Sequence, residues 1–144
     1  MSTQIRVGLS ACLAGDEVRF NGGHSHQRYL TETLGQFFEY VTVCPEVEVG
    51  MTVPRPTVRL VNDQGKIRVV DSKNDIDWTP AMEDHAVNRA GIVSDQGLSG
   101  FILKSKSPTC GVERVKVYES NGMPSHNGRG VFAAELMRRY PRLP

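Results

Sequence analysis

The sequence predicts an α/β fold: a single three-layer, Rossmann-like domain with a mostly parallel sheet and an inserted β-hairpin. Three observations point there. Short apolar runs alternate with stretches whose apolar residues recur every three or four positions. Those runs are short and mainly apolar, which suggests a mostly parallel sheet. One pair of β-rich runs around a turn cluster interrupts the order in mid-chain. With 144 residues, 39% hydrophobic and 23% charged, the chain has the length of one domain and an ordinary core's apolar content.

The elements follow in order. Ile5 to Ser10 is a short strand ending at Ala11-Cys12, and a glycine- and asparagine-containing loop, residues 15–26, comes next. Leu30, Leu34, Phe37 and Phe38 mark one face of a helix. Tyr40 to Val43 is the second strand, stopped at Cys44-Pro45 because proline lacks the ladder donor. Residues 57–61 and 66–70 flank the turn cluster Asn62-Asp63-Gln64-Gly65 and form the hairpin. Thr79-Pro80 opens a helix, threonine as N-cap and proline at the first helical position, with Met82, Ala86, Ala90 and Val93 as its buried stripe. Gly100 to Leu103 and Val115 to Tyr118 are further strands, and a last helix starts near Gly128 with Phe132, Leu136 and Tyr140 on one face. Residues 1–140 thus form the domain, and 141–144, proline-rich, begin a linker to a further C-terminal domain.

Composition removes several function classes. No apolar run approaches a membrane span and the N-terminus lacks a secretory apolar region, so a cytoplasmic protein is expected, with no membrane partner. A net charge of +1 excludes nucleic-acid affinity built on bulk charge and leaves room only for a local basic patch. Three cysteines, an odd count, argue against a disulfide framework.

Position makes those cysteines informative. Cys12, Cys44 and Cys110 each follow the carboxyl end of a predicted strand, where open parallel sheets place their ligand crevice. Their spacing matches no Cys-x-x-Cys pattern, and a single buried cysteine is ordinarily packing. Packing, however, does not ask for three cysteines at equivalent strand ends. Three thiolates suit either a zinc ion with a fourth ligand from His24, His26 or His126, or a cubane iron–sulfur cluster with one iron lacking a protein ligand. Glu46 lies two residues after Cys44, and Ser107 three before Cys110. A carboxylate there activates water, and a hydroxyl binds or protonates a developing anion. The plain alternatives are a solvated charge for Glu46 and a turn cap for Ser107.

Ser10-Ala11-Cys12-Leu13 with Gly15, Val18-Arg19-Phe20-Asn21-Gly22, Cys44-Pro45-Glu46-Val47, Pro54-Arg55 and Ser107-Pro108-Thr109-Cys110-Gly111 together resemble the thiouracil desulfidase family, over residues 6–138. Thr109 stands where serine is commoner, and Ala14 where leucine is. The resemblance implies a [4Fe-4S] cluster on Cys12, Cys44 and Cys110, with a thiolated pyrimidine's sulfur bound at the fourth iron. It implies Glu46 as the base that activates water and Ser107 as a hydrogen-bonding or proton-transferring partner, in a non-redox, hydrolytic desulfuration that yields uracil or uridine and hydrogen sulfide. The 18–24 stretch is similar to the two-domain RNA-thiouridine desulfidases, which makes 4-thiouridine in tRNA a candidate substrate beside free thiouracil.

On that reading Arg19, Arg55, Arg59, Lys104, Lys106 and Arg114 are candidate phosphate contacts, against the commoner fate of solvated surface charges. Three rivals make other demands. A zinc-binding, non-catalytic RNA or protein interaction domain needs a histidine ligand; a thiolate redox enzyme needs a resolving cysteine; an RNA-binding delivery domain needs more positive charge.

Overall fold

The computed structural model describes residues 5–15, 21–24, 26–73 and 76–144. The 18–20 part of the Val18–Gly22 block, with Arg19, lies outside the described residues.

Two sheets share the chain. The first is parallel, in the order β2-β1-β5, built from β1 (Ile5–Ser10), β2 (Phe38–Val43) and β5 (Gly100–Ile102). The second has the order β4-β3-β6-β7. In it β3 (Val58–Asp63) and β4 (Lys66–Asp71) are the expected antiparallel hairpin. They are joined by β6 (Val115–Tyr118), parallel to β3, and by β7 (Pro124–Gly128), antiparallel to β6. The hairpin is therefore half of a second sheet rather than a lone insertion.

The helices are α1 (Pro45–Glu48), α2 (Thr79–Arg89), α3 (Ile92–Asp95) and α4 (Val131–Arg139). Met82 and Ala86 of α2 and Val93 of α3 are buried, with Ala90 between the two helices, so the expected stripe spans both. One core joins β2, α2, α3 and α4 through Val43, Ala86, Val93, Phe132 and Leu136; a second joins the other sheet to α2 through Leu60, Val69, Met82, Val115 and Val117. Truncating a side chain as enclosed as Phe132, 1% exposed, costs about 3–5 kcal/mol. No described helix is long and apolar enough to cross a membrane.

Four local expectations are corrected. The Leu30–Phe38 face is not one helix: a π-helical turn, Tyr29–Thr33, runs into a 3-10 turn, Leu34–Gln36, neither burying a residue. Phe37 is exposed and Phe38 already belongs to β2. The last helix begins at Val131, not near Gly128, because Gly128 closes β7, where a Cβ would stand 2.5 Å from Val117 Cγ2 and 2.8 Å from the Val115 carbonyl oxygen. Leu103 lies beyond β5, which ends at Ile102. Thr79 is not the cap of α2 either. Its hydroxyl accepts the Val69 N–H at 2.8 Å, joining the helix to β4; the N-cap position is Trp78, with no side-chain cap, and Asp77 Oδ1 accepts the Thr79 N–H at 2.9 Å just ahead of the helix. At the end of the chain, residues 141–144 lie against β5, and Phe101 N–H donates to the Pro144 carbonyl at 2.9 Å.

Asp77→Ala removes the acceptor of the Thr79 N–H and the Arg68 partner 2.8 Å from Asp77 Oδ2. The expected loss is about 1 kcal/mol, read as a lowered midpoint in urea with an unchanged slope.

Candidate functional site

Parallel pairing levels the ends of β1 and β2: Ser10 stands opposite Val43, and Leu9 opposite Ile102 of β5. Whatever follows Ser10, Val43 and Ile102 therefore leaves the sheet at one edge. A cleft of about 350 Å³ opens there, lined by Cys12, Cys44, Cys110, Glu46 and Ser107, with Arg55, Lys104 and Lys106 around them. Five residues picked from three distant motifs thus share one cavity.

Each is positioned by local chemistry. After Ser10 the chain tightens into a 3-10 turn, Ala11–Ala14, closed by Gly15 at φ 99°, and this turn carries Cys12. Cys44 is extended, and Pro45 at the first helical position starts α1 directly behind it. The Cys44 N–H donates to Glu48 Oε2 at 3.3 Å, and Glu48 Oε1 is held by His85 Nε2 at 2.8 Å and Arg89 Nε at 3.2 Å. Two α2 side chains thereby hold the carboxylate that steadies the Cys44 backbone.

The Cys110 turn is fixed differently. Ser107 Oγ accepts the N–H groups of Thr109 at 3.2 Å and Cys110 at 3.0 Å, so the turn-capping alternative describes its geometry while its residue still lines the cleft. The start of α4 then clamps the turn. Gly130 N–H donates to the Gly111 carbonyl, Val131 N–H to Pro108, and Phe132 and Ala133 N–H to Thr109, at 2.8–3.2 Å. Amides that a helix ordinarily caps with a side chain are satisfied here by the backbone of the cysteine turn. Gly130 has to be glycine for this approach, since a Cβ would lie 2.4 Å from the Thr109 carbonyl carbon.

None of the three cysteines is disulfide-bonded; Cys12 and Cys44 are partly buried and Cys110 is buried against the core. Burial pushes the Cys110 thiol up to about 12, opposed by hydrogen bonds with Ser10 and Thr109 and reinforced by Cys44 and Glu46. Burial also raises Cys44, and the neighbouring Cys12 thiol adds to the shift. The thiols act on one another, Cys12 on Cys44 and Cys44 on Cys110, each disfavouring the other's ionisation. Among the described residues no group of three His, Cys, Asp or Glu is arranged to hold a metal ion. The histidines that a zinc site needs lie elsewhere: none of the four lines the cleft, and His26 Nε2 instead meets Thr31 Oγ1 at 2.7 Å.

Glu46 is no solvated loop charge. Its side chain is 17% exposed and faces Arg55, itself 5% exposed, at 3.4 Å between Oε1 and Nε. Burial raises the Glu46 carboxyl above its ordinary value, and the Arg55 guanidinium pulls it back. Arg55 is accordingly neither a surface charge nor a free phosphate contact. Sequence reasoning places it in a motif and misses its partner; an arginine nine residues after a glutamate carries no periodic signal. Ser10 is missed likewise: its hydroxyl accepts the Lys104 N–H at 2.9 Å and extends the strand pairing to the cleft rim.

Residues 7–144 match the 2-thiouracil desulfurase family. The uncharacterized protein YbbK of Bacillus subtilis (strain 168) is 27% identical over 109 residues, 72% of this chain and 71% of that protein. The solved structure of the [4Fe-4S]-dependent thiouracil desulfidase TudS superposes with a TM-score of 0.73 at 28% identity, over 94% of this chain and 87% of that one.

Gly130→Ala forces the start of α4 off the Cys110 turn. Overpacking of this kind costs about 1–3 kcal/mol, so thermal unfolding should shift down while Gly122→Ala, whose Cβ meets nothing within 4 Å, bears only the strain of its φ of 80°.

Proposed function

Because the chain belongs to the 2-thiouracil desulfurase family, we propose that it removes sulfur from thiolated pyrimidines with a [4Fe-4S] cluster held by Cys12, Cys44 and Cys110. The observation that carries this reading is the convergence of three thiols and one half-buried carboxylate on a single cleft. The donor set is of the kind such a cluster takes: three thiols line one cleft, with no histidine among the lining residues. Bound there, the cluster supplies an iron without a protein ligand, a Lewis acid for a thiocarbonyl sulfur.

The chain's own residues do the rest. Glu46 Oε takes a proton from the attacking water. Arg55 keeps that carboxylate charged and oriented, and burial keeps it basic enough to accept. Water adds to the ring carbon and sulfide departs, so the carbon–sulfur double bond is exchanged for carbon–oxygen with no change in redox state. Ser107 Oγ already accepts two backbone N–H groups, which leaves its O–H to donate, toward Thr109 Oγ1 at 3.1 Å or toward substrate. Apolar lining from Ala11, Val43, Pro45 and Val58 suits the faces of a pyrimidine. The substrate is the free base or 4-thiouridine in tRNA, and the surrounding domain comprises residues 1–140.

The test is sulfide release from free 2-thiouracil and from thiolated tRNA by anaerobically reconstituted protein. Cys12→Ser, Cys44→Ser and Cys110→Ser should each lose the brown absorption and turnover together. Glu46→Gln should keep the absorption and lose about 10²–10⁴-fold in turnover. Undiminished turnover in protein stripped of iron would overturn the reading, and a fully active Glu46→Gln would remove Glu46 from the mechanism.

A further inference from the structure

A second groove adjoins the cleft and shares Thr57, Val58, Lys106 and Pro108 with it. Its other charged lining residues are Arg59 of β3, Arg114, and Lys116 of β6, with His126 of β7 beside them; no described lining residue is acidic. In a chain with 17 basic against 16 acidic residues, a groove carrying four cations and no carboxylate is a marked segregation of charge.

Backbone conformation gives an independent sign. Among the described residues three non-glycines hold a left-handed φ: Gln64 at 53°, Lys106 at 63° and Arg114 at 55°. Gln64 sits in the tight β3–β4 turn, where such angles are usual. Lys106 and Arg114 bracket the Cys110 turn, and both line the groove. Glycine would hold these angles without strain, yet long cationic side chains stand there instead. Arg59 is also held in place, its guanidinium 4.7 Å from the centre of the Tyr118 ring.

We propose that this groove is the track for the phosphodiester backbone of an RNA strand whose thiolated base is turned into the neighbouring cleft. It rests on the desulfidase reading only for what enters the cleft. Lys106, which belongs to both cavities, marks the point where base and backbone diverge. Single-stranded segments suit this arrangement because their bases splay away from the backbone. A free base makes no use of the groove.

The experiment measures binding of a labelled single-stranded RNA oligonucleotide by anisotropy across salt concentrations, and desulfidation of free 2-thiouracil in parallel. Four phosphate contacts give a slope of log K against log salt of about −3, and Arg114→Gly with Lys116→Gln should halve it and weaken binding roughly tenfold near physiological salt. Arg114→Gly relieves the left-handed backbone, so loss of binding with an unchanged melting temperature reports on charge. Turnover of free 2-thiouracil should be unchanged in that variant. RNA binding by the parent that the double variant matches, no binding by the parent, or equal binding of uridine monophosphate or an aspartate-rich peptide would each overturn the proposal. Loss of 2-thiouracil turnover in the parent strikes the desulfidase reading instead and leaves the RNA measurement standing.

Discussion

The parallel register of β1 against β2 and β5 is the constraint on which the site depends. Because Ser10 lies level with Val43, and Leu9 with Ile102, three segments far apart in sequence leave the sheet at the same edge. Slipping one strand by a single residue would turn its side chains to the opposite face. Cys12 and Cys44 need only a turn each to reach the cleft. Cys110 arrives by a longer path and is held more firmly, its turn fastened by Ser107 from within and by the amides of α4 from behind.

Charge is distributed with the same economy. Glu46 and Arg55 are both withdrawn from water and face each other, an arrangement that leaves either one a costly buried charge if the other is removed. Glu48, further along the same helix, is structural: it joins the Cys44 backbone to His85 and Arg89 of α2. Two glutamates of α1 thus have separate tasks: Glu46 faces the cleft, and Glu48 anchors the helix that presents it.

Much of this is legible in the chain. Ile5–Ser10 and Val115–Tyr118 can be read to the residue because short apolar runs are bounded by strong turn signals, and the hairpin because Asn62-Asp63-Gln64-Gly65 has turn chemistry of its own. The three cysteines, Glu46 and Ser107 stand out because strand ends in parallel sheets are where ligands bind, and the cleft contains all five. What is illegible depends on tertiary contact. β7, Pro124–Gly128, has the composition of a loop and is a strand only because β6 offers it an edge. The Leu30–Phe38 spacing satisfies a helical pattern, yet Phe38 pairs with Ile5 across the sheet. Arg55 reads as a surface cation until the fold encloses it beside Glu46.

We propose that the three thiols at one edge of the sheet leave a single position of a metal centre open to substrate. The most direct measurement is the Mössbauer spectrum of the anaerobically reconstituted, iron-57-enriched protein, recorded before and after addition of free 2-thiouracil. A cluster of the [4Fe-4S] type on three cysteines predicts that about a quarter of the iron signal changes while the rest stays put. Iron that forms no cluster, or a cluster whose spectrum is indifferent to the thiolated base, would contradict it.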